Sequence, residues 1–187
     1  MSLKHGILGL LSYSPMSGYD LTKAFGQSLT FFWSAQTSQI YRELEAMKAC
    51  GWIEAKEERQ RGHMVSTVHA LTDAGREELS RWLKEPLEER SGTRSPFLLR
   101  LFFQSREGED SIRALVQARK LRAEALAESL RATLAHVIPE RQAGVDDELA
   151  VFCWTQAAEF GLAQFEAEAR WAEACLARLD ALKGERE

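Results

Sequence analysis

The fold of this chain is decided by the stretch Phe31-Phe32-Trp33-Ser34-Ala35-Gln36-Thr37-Ser38-Gln39-Ile40-Tyr41-Arg42-Glu43-Leu44. Aromatic residues precede a short predicted helix, in which Ile40, Leu44 and Met47 recur at helical spacing and face a core. The early polar positions of this helix are predicted to be exposed: Thr37, Ser38, Gln39 and Arg42. A polar helix start on an apolar back face is the pattern of a DNA recognition helix.

Two further helices are predicted upstream. Apolar residues recur at helical spacing from Leu3 to Ser12, and Pro15 closes that segment. The run Ser17-Gly18-Tyr19-Asp20 is typical of a capping box that starts a helix ending near Gln27. The helix that opens near Thr37 is expected to end at Gly51, which suits a left-handed C-terminal cap.

A β-hairpin is predicted after these three helices. The segments Trp52–Lys56 and Val65–Leu71 have the β-branched content and partial alternation of strands, and the polar segment Glu57–Met64 lies between them. A capped helix then begins at Thr72-Asp73-Ala74-Gly75. Three helices followed by a hairpin with a basic tip form the order of a winged helix-turn-helix.

The rest of the chain is predicted to be helical. Residues 85–96 contain two prolines and form a linker between a winged domain, residues 1–84, and a helical dimerisation domain, residues 97–187. The second domain is expected to hold a short apolar helix from Phe97, a long helix from Glu109 to Val137, and a final helix from Asp146 to Lys183. The predicted fold class is therefore mainly α.

The final helix has two apolar faces. One face carries Leu149, Phe152, Phe160, Ala163 and Ala167; the other carries Trp154, Ala158, Leu162, Phe165, Ala169, Ala172, Leu176 and Leu179. A helix that is apolar on two sides needs two partners, and the preceding helix can cover only one. We therefore expect a homodimer with twofold symmetry. The alternative is that both faces pack within a larger monomeric bundle.

Composition restricts the class of protein. The chain has 187 residues and 45% hydrophobic content, with no apolar run long enough for a membrane span and no secretory signal at its start. The three cysteines are far apart and set among apolar residues, which favours buried, reduced thiols in a cytoplasmic protein over a redox switch.

The charge is unevenly distributed. The net charge is -4, but residues 1–84 carry ten Lys and Arg against nine Asp and Glu, while residues 85–187 carry fourteen against nineteen. The acidity lies in the second half, so the charge of the whole chain does not decide what the first half binds. A balance this close to zero means that the basic groups must be clustered to attract DNA.

Residues 3–84 resemble the PadR family of bacterial transcriptional regulators. The matching segments are Leu3-Lys4-His5-Gly6-Ile7-Leu8-Gly9-Leu10-Leu11, Ser17-Gly18-Tyr19-Asp20-Leu21, Phe32-Trp33, Gln39-Ile40-Tyr41-Arg42-Glu43-Leu44, Gly51-Trp52-Ile53 and Leu71-Thr72-Asp73-Ala74-Gly75-Arg76. The tail is similar to the branch that contains a phenolic-acid-responsive repressor and a virulence-gene activator. This resemblance implies a dimer formed through the tail, double-stranded operator DNA as partner, and a small aromatic effector.

The resemblance assigns roles to individual residues. Tyr19 and Lys23 lie near the start of the second helix, where a phenol and an ammonium can reach phosphate. On the recognition helix, Gln39 could pair with adenine and Arg42 with guanine or phosphate. Tyr41 matches a family tyrosine that is turned toward the DNA backbone. For Ser38 and Gln39 the alternative is a solvated helix surface, and for Tyr19 it is packing.

The predicted wing departs from the family pattern. Its basic residues, Arg59 and Arg61, precede Gly62 instead of following it, and His69 stands where the family has a tyrosine. Arg59, Arg61 and His63 are the candidate wing contacts to DNA. Trp33 could stack on an effector, but the simpler interpretation is that it packs between the recognition helix and the tail.

Other functions have less support in the sequence. The chain has no G-x-S-x-G, P-loop or H-E-x-x-H motif, no close Cys/His spacing for a metal, and no cofactor motif, so an enzyme is not expected. The near-neutral winged domain leaves open a winged-helix module that binds protein and not DNA. Neither the target promoter, the effector nor the choice between repression and activation corresponds to a recognisable motif.

Overall fold

The chain forms two compact units, Met1–Glu88 and Glu89–Glu187, which we call the winged unit and the tail unit. The computed structural model describes residues 3–26, 32–61, 64–86, 95–139 and 147–184, with side chains for all of these except residues 57–61, 64, 65, 183 and 184. The finer domain limits at residues 84 and 97 stay a prediction.

The winged unit contains four helices and three strands among its described residues. The helices are α1 (Leu3–Tyr13), α2 (Gly18–Ala24), α3 (Thr37–Ala49) and α4 (Asp73–Lys84), and the strands are β1 (Met16–Ser17), β2 (Ile53–Arg61) and β3 (Met64–Leu71). The three strands form one antiparallel sheet in the order β1-β3-β2. The predicted winged helix-turn-helix is confirmed.

The strands differ from the sequence prediction in two ways. Strand β2 continues to Arg61, which pairs with Met64, so most of the polar segment between the two predicted strands is itself paired. A short strand β1 was not predicted; it lies at the edge of the sheet, where Ser17 pairs with Val68 of the central strand β3. Backbone hydrogen bonds hold both segments in the sheet. Because these bonds do not depend on the type of side chain, they leave no apolar alternation from which the strands could be predicted.

The core of the winged unit joins α1, α2 and α3 to the sheet. Its buried side chains are Ile7, Leu8, Leu10, Leu11, Leu21, Ala24, Phe25, Ile40, Leu44, Met47, Ile53, Leu71 and Leu79. Trp33, Trp52 and Trp82 are partly buried and pack against this cluster. The apolar back of α3 is thus fixed to the other two helices, as the spacing of its residues predicts.

A polar cluster joins α1 to α4. The His5 Nε2 and Glu78 Oε1 atoms lie 3.0 Å apart, and the imidazole stacks on Trp82 with 4.6 Å between ring centroids. Arg81 donates hydrogen bonds to both oxygens of Glu78 at 2.8 Å. These hydrogen bonds, that of His5 first, lower the pKa of Glu78, so the carboxylate is ionised in this cluster.

Three helices make up most of the described tail unit: α5 (Pro96–Phe103), α6 (Glu109–Ala132) and α7 (Glu148–Gly184). Helices α6 and α7 are antiparallel, because the ion pairs between them run in opposite directions along the chain. These pairs are Arg113 with Asp180 at 2.6 Å, Lys120 with Glu173 at 3.5 Å and Arg131 with Glu166 at 2.7 Å. A π-helical turn, Thr133–Val137, follows α6.

Helix α7 has the two apolar faces that the sequence predicts. Ala158 and Ala172 are buried on the face that meets α6, and the large residues beside them are half-buried. On the other face Leu149, Phe152 and Phe160 are 76%, 60% and 68% exposed. Helix α5 adds further exposed apolar side chains, among them Leu99 and Phe102. The tail unit therefore leaves a large apolar surface uncovered within a single chain.

The cysteines are less buried than the sequence suggests. Cys50 and Cys153 are exposed and Cys175 is half-buried, and all three are free thiols. The expectation of buried thiols was wrong because apolar neighbours in sequence do not share the same face of a helix. Cys50 follows the last turn of α3, and Cys153 lies on α7 beside the exposed Phe152.

Candidate nucleic-acid interface

The candidate interface is the polar surface of α3. Ile40, Leu44 and Met47 are almost fully buried on its inner side. The side chains of Thr37, Ser38, Tyr41 and Arg42 are exposed on its outer side. Four predicted site residues therefore lie on one accessible surface that the core holds rigidly from behind.

Gln39 differs from its neighbours. It is half-buried, and its Oε1 accepts a hydrogen bond from the backbone N–H of Gln36 at 3.0 Å. Gln36 is the N-cap of α3, so Gln39 is the third helical residue and reaches back to satisfy a donor at the helix start. The prediction that Gln39 is freely exposed was wrong, because its side chain is used to cap the helix.

Tyr41 packs on the start of α2. An ideal Cβ atom on Gly18 would lie 2.6 Å from Cε1 and 2.8 Å from Cζ of Tyr41. The tyrosine ring therefore fills the space above a buried glycine, while 49% of the residue stays exposed. In the sequence this glycine is recognisable only as part of a capping box. Its missing side chain is what allows α2 and α3 to approach at this point.

The start of α2 is rigidly capped. The Ser17 hydroxyl accepts from the N–H of Asp20 at 3.2 Å and donates to Asp20 Oδ2 at 2.7 Å, which confirms the predicted capping box. Tyr19 and Lys23 are exposed on this helix. Both side chains are therefore accessible to a large ligand.

The end of α3 is tied to the start of α4. Gly51 has a φ of +72° and its N–H donates to Lys48, while the N–H of Trp52 donates to Met47. These bonds form the predicted left-handed helix cap. The hydroxyl of Thr72, which caps α4 by accepting from the N–H of Gly75, also donates to the Gly51 carbonyl at 2.6 Å.

The wing is the hairpin of β2 and β3. The backbones of Arg59 and Arg61 lie in β2, opposite Ser66 and Met64. The side chains of both arginines, and His63 as a whole, lie outside the described residues. Their predicted contacts to DNA stay a prediction.

His69 lies in the central strand β3 and is buried. Burial, and secondarily the charge of Lys48, lower the pKa of His69, while Glu45 opposes them. Within the described residues the Nδ1 atom of His69 has no hydrogen-bond partner. The imidazole is therefore neutral near pH 7 and belongs to the strand, not to the exposed surface.

Other kinds of site find little support in the described residues. Their His, Cys, Asp and Glu side chains form no group of three or more that could hold a metal ion. None of their helices carries an apolar stretch long enough to cross a bilayer. Trp33 packs against the winged core, which favours its structural interpretation over a role in stacking on a ligand.

Both units match known families. Residues 7–81 match the "Transcriptional regulator PadR-like family", and residues 93–180 match the family described as "Virulence activator alpha C-term". The chain is 42% identical over 87 residues to the "Probable transcriptional regulator Rv1176c" of Mycobacterium tuberculosis, a match that covers 46% of each protein. It is 34% identical over 143 residues to the "Negative transcriptional regulator PadR" of Bacillus subtilis, covering 73% of this chain and 78% of that protein.

The similarity extends to solved structures. The crystal structure of Bacillus subtilis PadR in complex with operator DNA has a TM-score of 0.76 to this chain at 28% identity, and the match covers 95% of this chain and 98% of that one. The complex of the same protein with p-coumaric acid has a TM-score of 0.75 at 28% identity, with the same coverage. The likeness therefore includes the tail unit as well as the winged unit.

Proposed function

The chain belongs to the PadR-like family of transcriptional regulators, and we propose that it is a dimeric, sequence-specific DNA-binding repressor that responds to a small molecule. The observation that carries this proposal is helix α3, whose buried apolar back fixes an exposed polar front. The operator complex of the Bacillus subtilis relative supports the same role for this chain. A protein with this role acts in the cytoplasm, where the chromosome lies.

The proposed DNA surface combines three elements. Thr37, Ser38, Gln39, Tyr41 and Arg42 on α3 enter the major groove. Tyr19 and Lys23 on α2 contact phosphates and set the position of the unit on the duplex. Arg59, Arg61 and His63 of the wing contact the adjacent backbone or minor groove.

The proposed partner of the tail unit is a second copy of the chain. Leu149, Phe152 and Phe160 form an exposed apolar stripe on α7, and a twofold axis lets the same stripe serve both subunits. Burial of these side chains stabilises the dimer by roughly 25 cal/mol for each Å² of apolar surface removed from water. The two recognition helices would then lie about 34 Å apart, one turn of DNA, or a multiple of it.

The proposed effector is a small aromatic compound. Support comes from the relative that was solved with p-coumaric acid, whose overall structure this chain shares. The effector of this chain would shift the regulator away from its operator-binding state by binding the two states with different affinity.

The experiment that tests the proposal measures binding of the purified protein to the intergenic DNA beside its own gene. We expect specific binding that weakens with salt, with a log-log slope of about -0.9 for each phosphate neutralised. Arg42→Ala should weaken operator binding, while Lys84→Ala, which removes an equally exposed cation on α4, should leave it nearly unchanged. A folded dimer that binds no DNA would instead favour a winged-helix module for protein partners, which the near-neutral charge of residues 1–84 makes the second candidate.

A further inference from the structure

The polar surface of α3 is divided between two kinds of side chain. Gln39 and Tyr41 are already used inside the winged unit, the first as a helix cap and the second as packing on Gly18. Ser38 and Arg42 are exposed, and neither forms a hydrogen bond or ion pair with any residue of the described ranges. This division is not visible in the sequence, where Gln39 is as good a candidate for reading bases as Arg42.

The chemistry of base recognition conflicts with the state of Gln39. A glutamine that recognises adenine accepts from N6–H with its oxygen and donates to N7 with its amide. The Gln39 oxygen already accepts from the N–H of Gln36 at 3.0 Å. Although an amide oxygen has a second lone pair, this hydrogen bond holds the side chain back against the helix start. Turning this side chain to a base would free one donor at the helix start and would remove a half-buried group from its contacts.

Ser38 and Arg42 meet the requirements that Gln39 does not. They are four residues apart, so they lie one above the other on the same side of α3. The guanidinium of Arg42 can pair in bidentate fashion with O6 and N7 of guanine, and the Ser38 hydroxyl can either donate or accept. Because neither side chain has to break a bond within the described part of the chain to reach DNA, both are ready for recognition in the free protein.

We propose that Ser38 and Arg42 determine base preference, and that Gln39 is a positioning residue that fixes the start of the recognition helix. This assignment rests on the proposed function, since it concerns the residues by which α3 recognises an operator. It predicts that the amide of Gln39 can be changed without altering which bases are preferred. It also predicts that a change of Arg42 does alter which bases are preferred.

The test is a base-substitution profile: the affinity of each variant is measured for the operator and for every single base-pair change in one half-site. Gln39→Glu keeps an acceptor for the Gln36 N–H but loses the amide donor that adenine requires. Its added negative charge weakens binding to all sequences alike, so each affinity is divided by that for non-specific DNA at the same salt concentration. We expect the Gln39→Glu profile to match that of the wild type.

Arg42→Ala should reduce the preference for the correct base pair at one position of the half-site by roughly 5- to 150-fold, the range expected for a lost bidentate contact. Ser38→Ala should reduce the base preference at a neighbouring position by a smaller factor. Lys48→Ala removes an exposed cation at the other end of α3 and serves as the matched control, because it should weaken all sequences equally. Arg42→Lys keeps the charge but loses the planar fork, so it gives the same answer if Arg42→Ala fails to fold.

The two proposals fail in different ways. A wild-type protein that binds all DNA sequences equally, or none, would overturn the proposed function. A Gln39→Glu profile that loses preference at one base pair, while Arg42→Ala and Arg42→Lys weaken all sequences equally, would overturn the assignment and identify Gln39 as the base-reading residue. Gln39→Ala adds a separate measure, because loss of the cap should lower the operator affinity several-fold without changing the profile.

Discussion

Tyr41 of α3 occupies the space that a side chain on Gly18 of α2 would fill, with 2.6 Å between Cε1 and the position of an ideal Cβ. Gly18→Ala should therefore displace the phenol ring. Because Tyr41 is already half-exposed, the ring can turn outward, and the free energy of unfolding should change by less than about 1 kcal/mol. Operator affinity should nevertheless fall several-fold, since Tyr41 would leave the position from which we propose that it contacts DNA.

A double-mutant cycle separates this effect from general damage to the fold. In a Tyr41→Ala background the obstructed space is empty, so Gly18→Ala should cost no further affinity. An equal loss from Gly18→Ala in both backgrounds would show that Tyr41 is not the residue through which Gly18 acts. Thermal unfolding of all four proteins provides the measure of stability.

Glu78 links α1 to α4 through its hydrogen bonds to His5 and Arg81. Glu78→Gln should destabilise the winged unit by about 1.5–3 kcal/mol at pH 7, the range for a hydrogen bond to a charged group. Since the folded state lowers the pKa of Glu78, its contribution is complete above the ordinary value of 4.5 and is lost as the pH falls through the lowered pKa. The difference between variant and wild type should shrink accordingly in acid.

Denaturant unfolding at a series of pH values measures this contribution. Glu77→Gln is the matched control, because Glu77 is exposed on the same helix and has no ion pair or hydrogen bond within the described residues. A loss of stability that is the same for both variants at every pH would contradict the role given to Glu78.

His69 should make the winged unit sensitive to mild acid. Its pKa is lowered by burial and by Lys48, so between the ordinary value of 6.5 and the lowered pKa the unfolded chain binds a proton that the folded chain does not. Stability is therefore lost as the pH falls from 6.5 through the lowered pKa. His69→Phe should remove this part of the pH dependence in denaturant unfolding.

Two neighbours of His69 test the cause. Lys48→Gln removes a charge that lowers the pKa of His69, so the loss of stability in mild acid should become smaller. Glu45→Gln removes a charge that raises it, so the loss should become larger. If His69→Phe keeps the full pH dependence of the wild type, another group must be titrating.

Phe152 tests the proposed dimer. It is 60% exposed on the uncovered face of α7, and Phe152→Glu would place a charge in the proposed interface. We expect a monomer at micromolar concentration by analytical ultracentrifugation, and a loss of operator affinity of about 100-fold or more as bivalent binding is lost. Gln117→Glu adds the same charge at an exposed position of α6 and should leave the dimer intact. A wild-type chain that sediments as a monomer would refute the interface altogether.

Local signals in the sequence predicted much of this fold. Helices α2 and α4 begin, and helix α3 ends, where capping residues predict, because a cap is a contact between residues close together in the chain. The two faces of α7 were predictable because periodicity survives over its 37 residues. By contrast, β1 has only two residues and pairs with a strand about fifty residues later, so no local pattern announces it.

The candidate site was predictable only in part. The sequence identified the helix that carries Ser38, Gln39, Tyr41 and Arg42, since its apolar spacing defines which side is buried. It did not show that Gln39 caps its own helix or that Tyr41 rests on Gly18. The first depends on the rotamer that a half-buried amide selects, and the second on the approach of two helices. Residue type alone settles neither.

The hydroxyl of Thr72 has a mechanical consequence. It caps α4 and donates to the Gly51 carbonyl at the end of α3, while the N–H of Thr72 donates to Trp52 at 3.1 Å. The two helices thus share one anchor, at the end of α3 opposite Gln39. A displacement of the start of α4 is therefore transmitted to the end of the recognition helix through these hydrogen bonds. Thr72→Val removes only the hydroxyl and keeps the backbone bond to Trp52, so it should loosen the connection between the two helices without removing either helix.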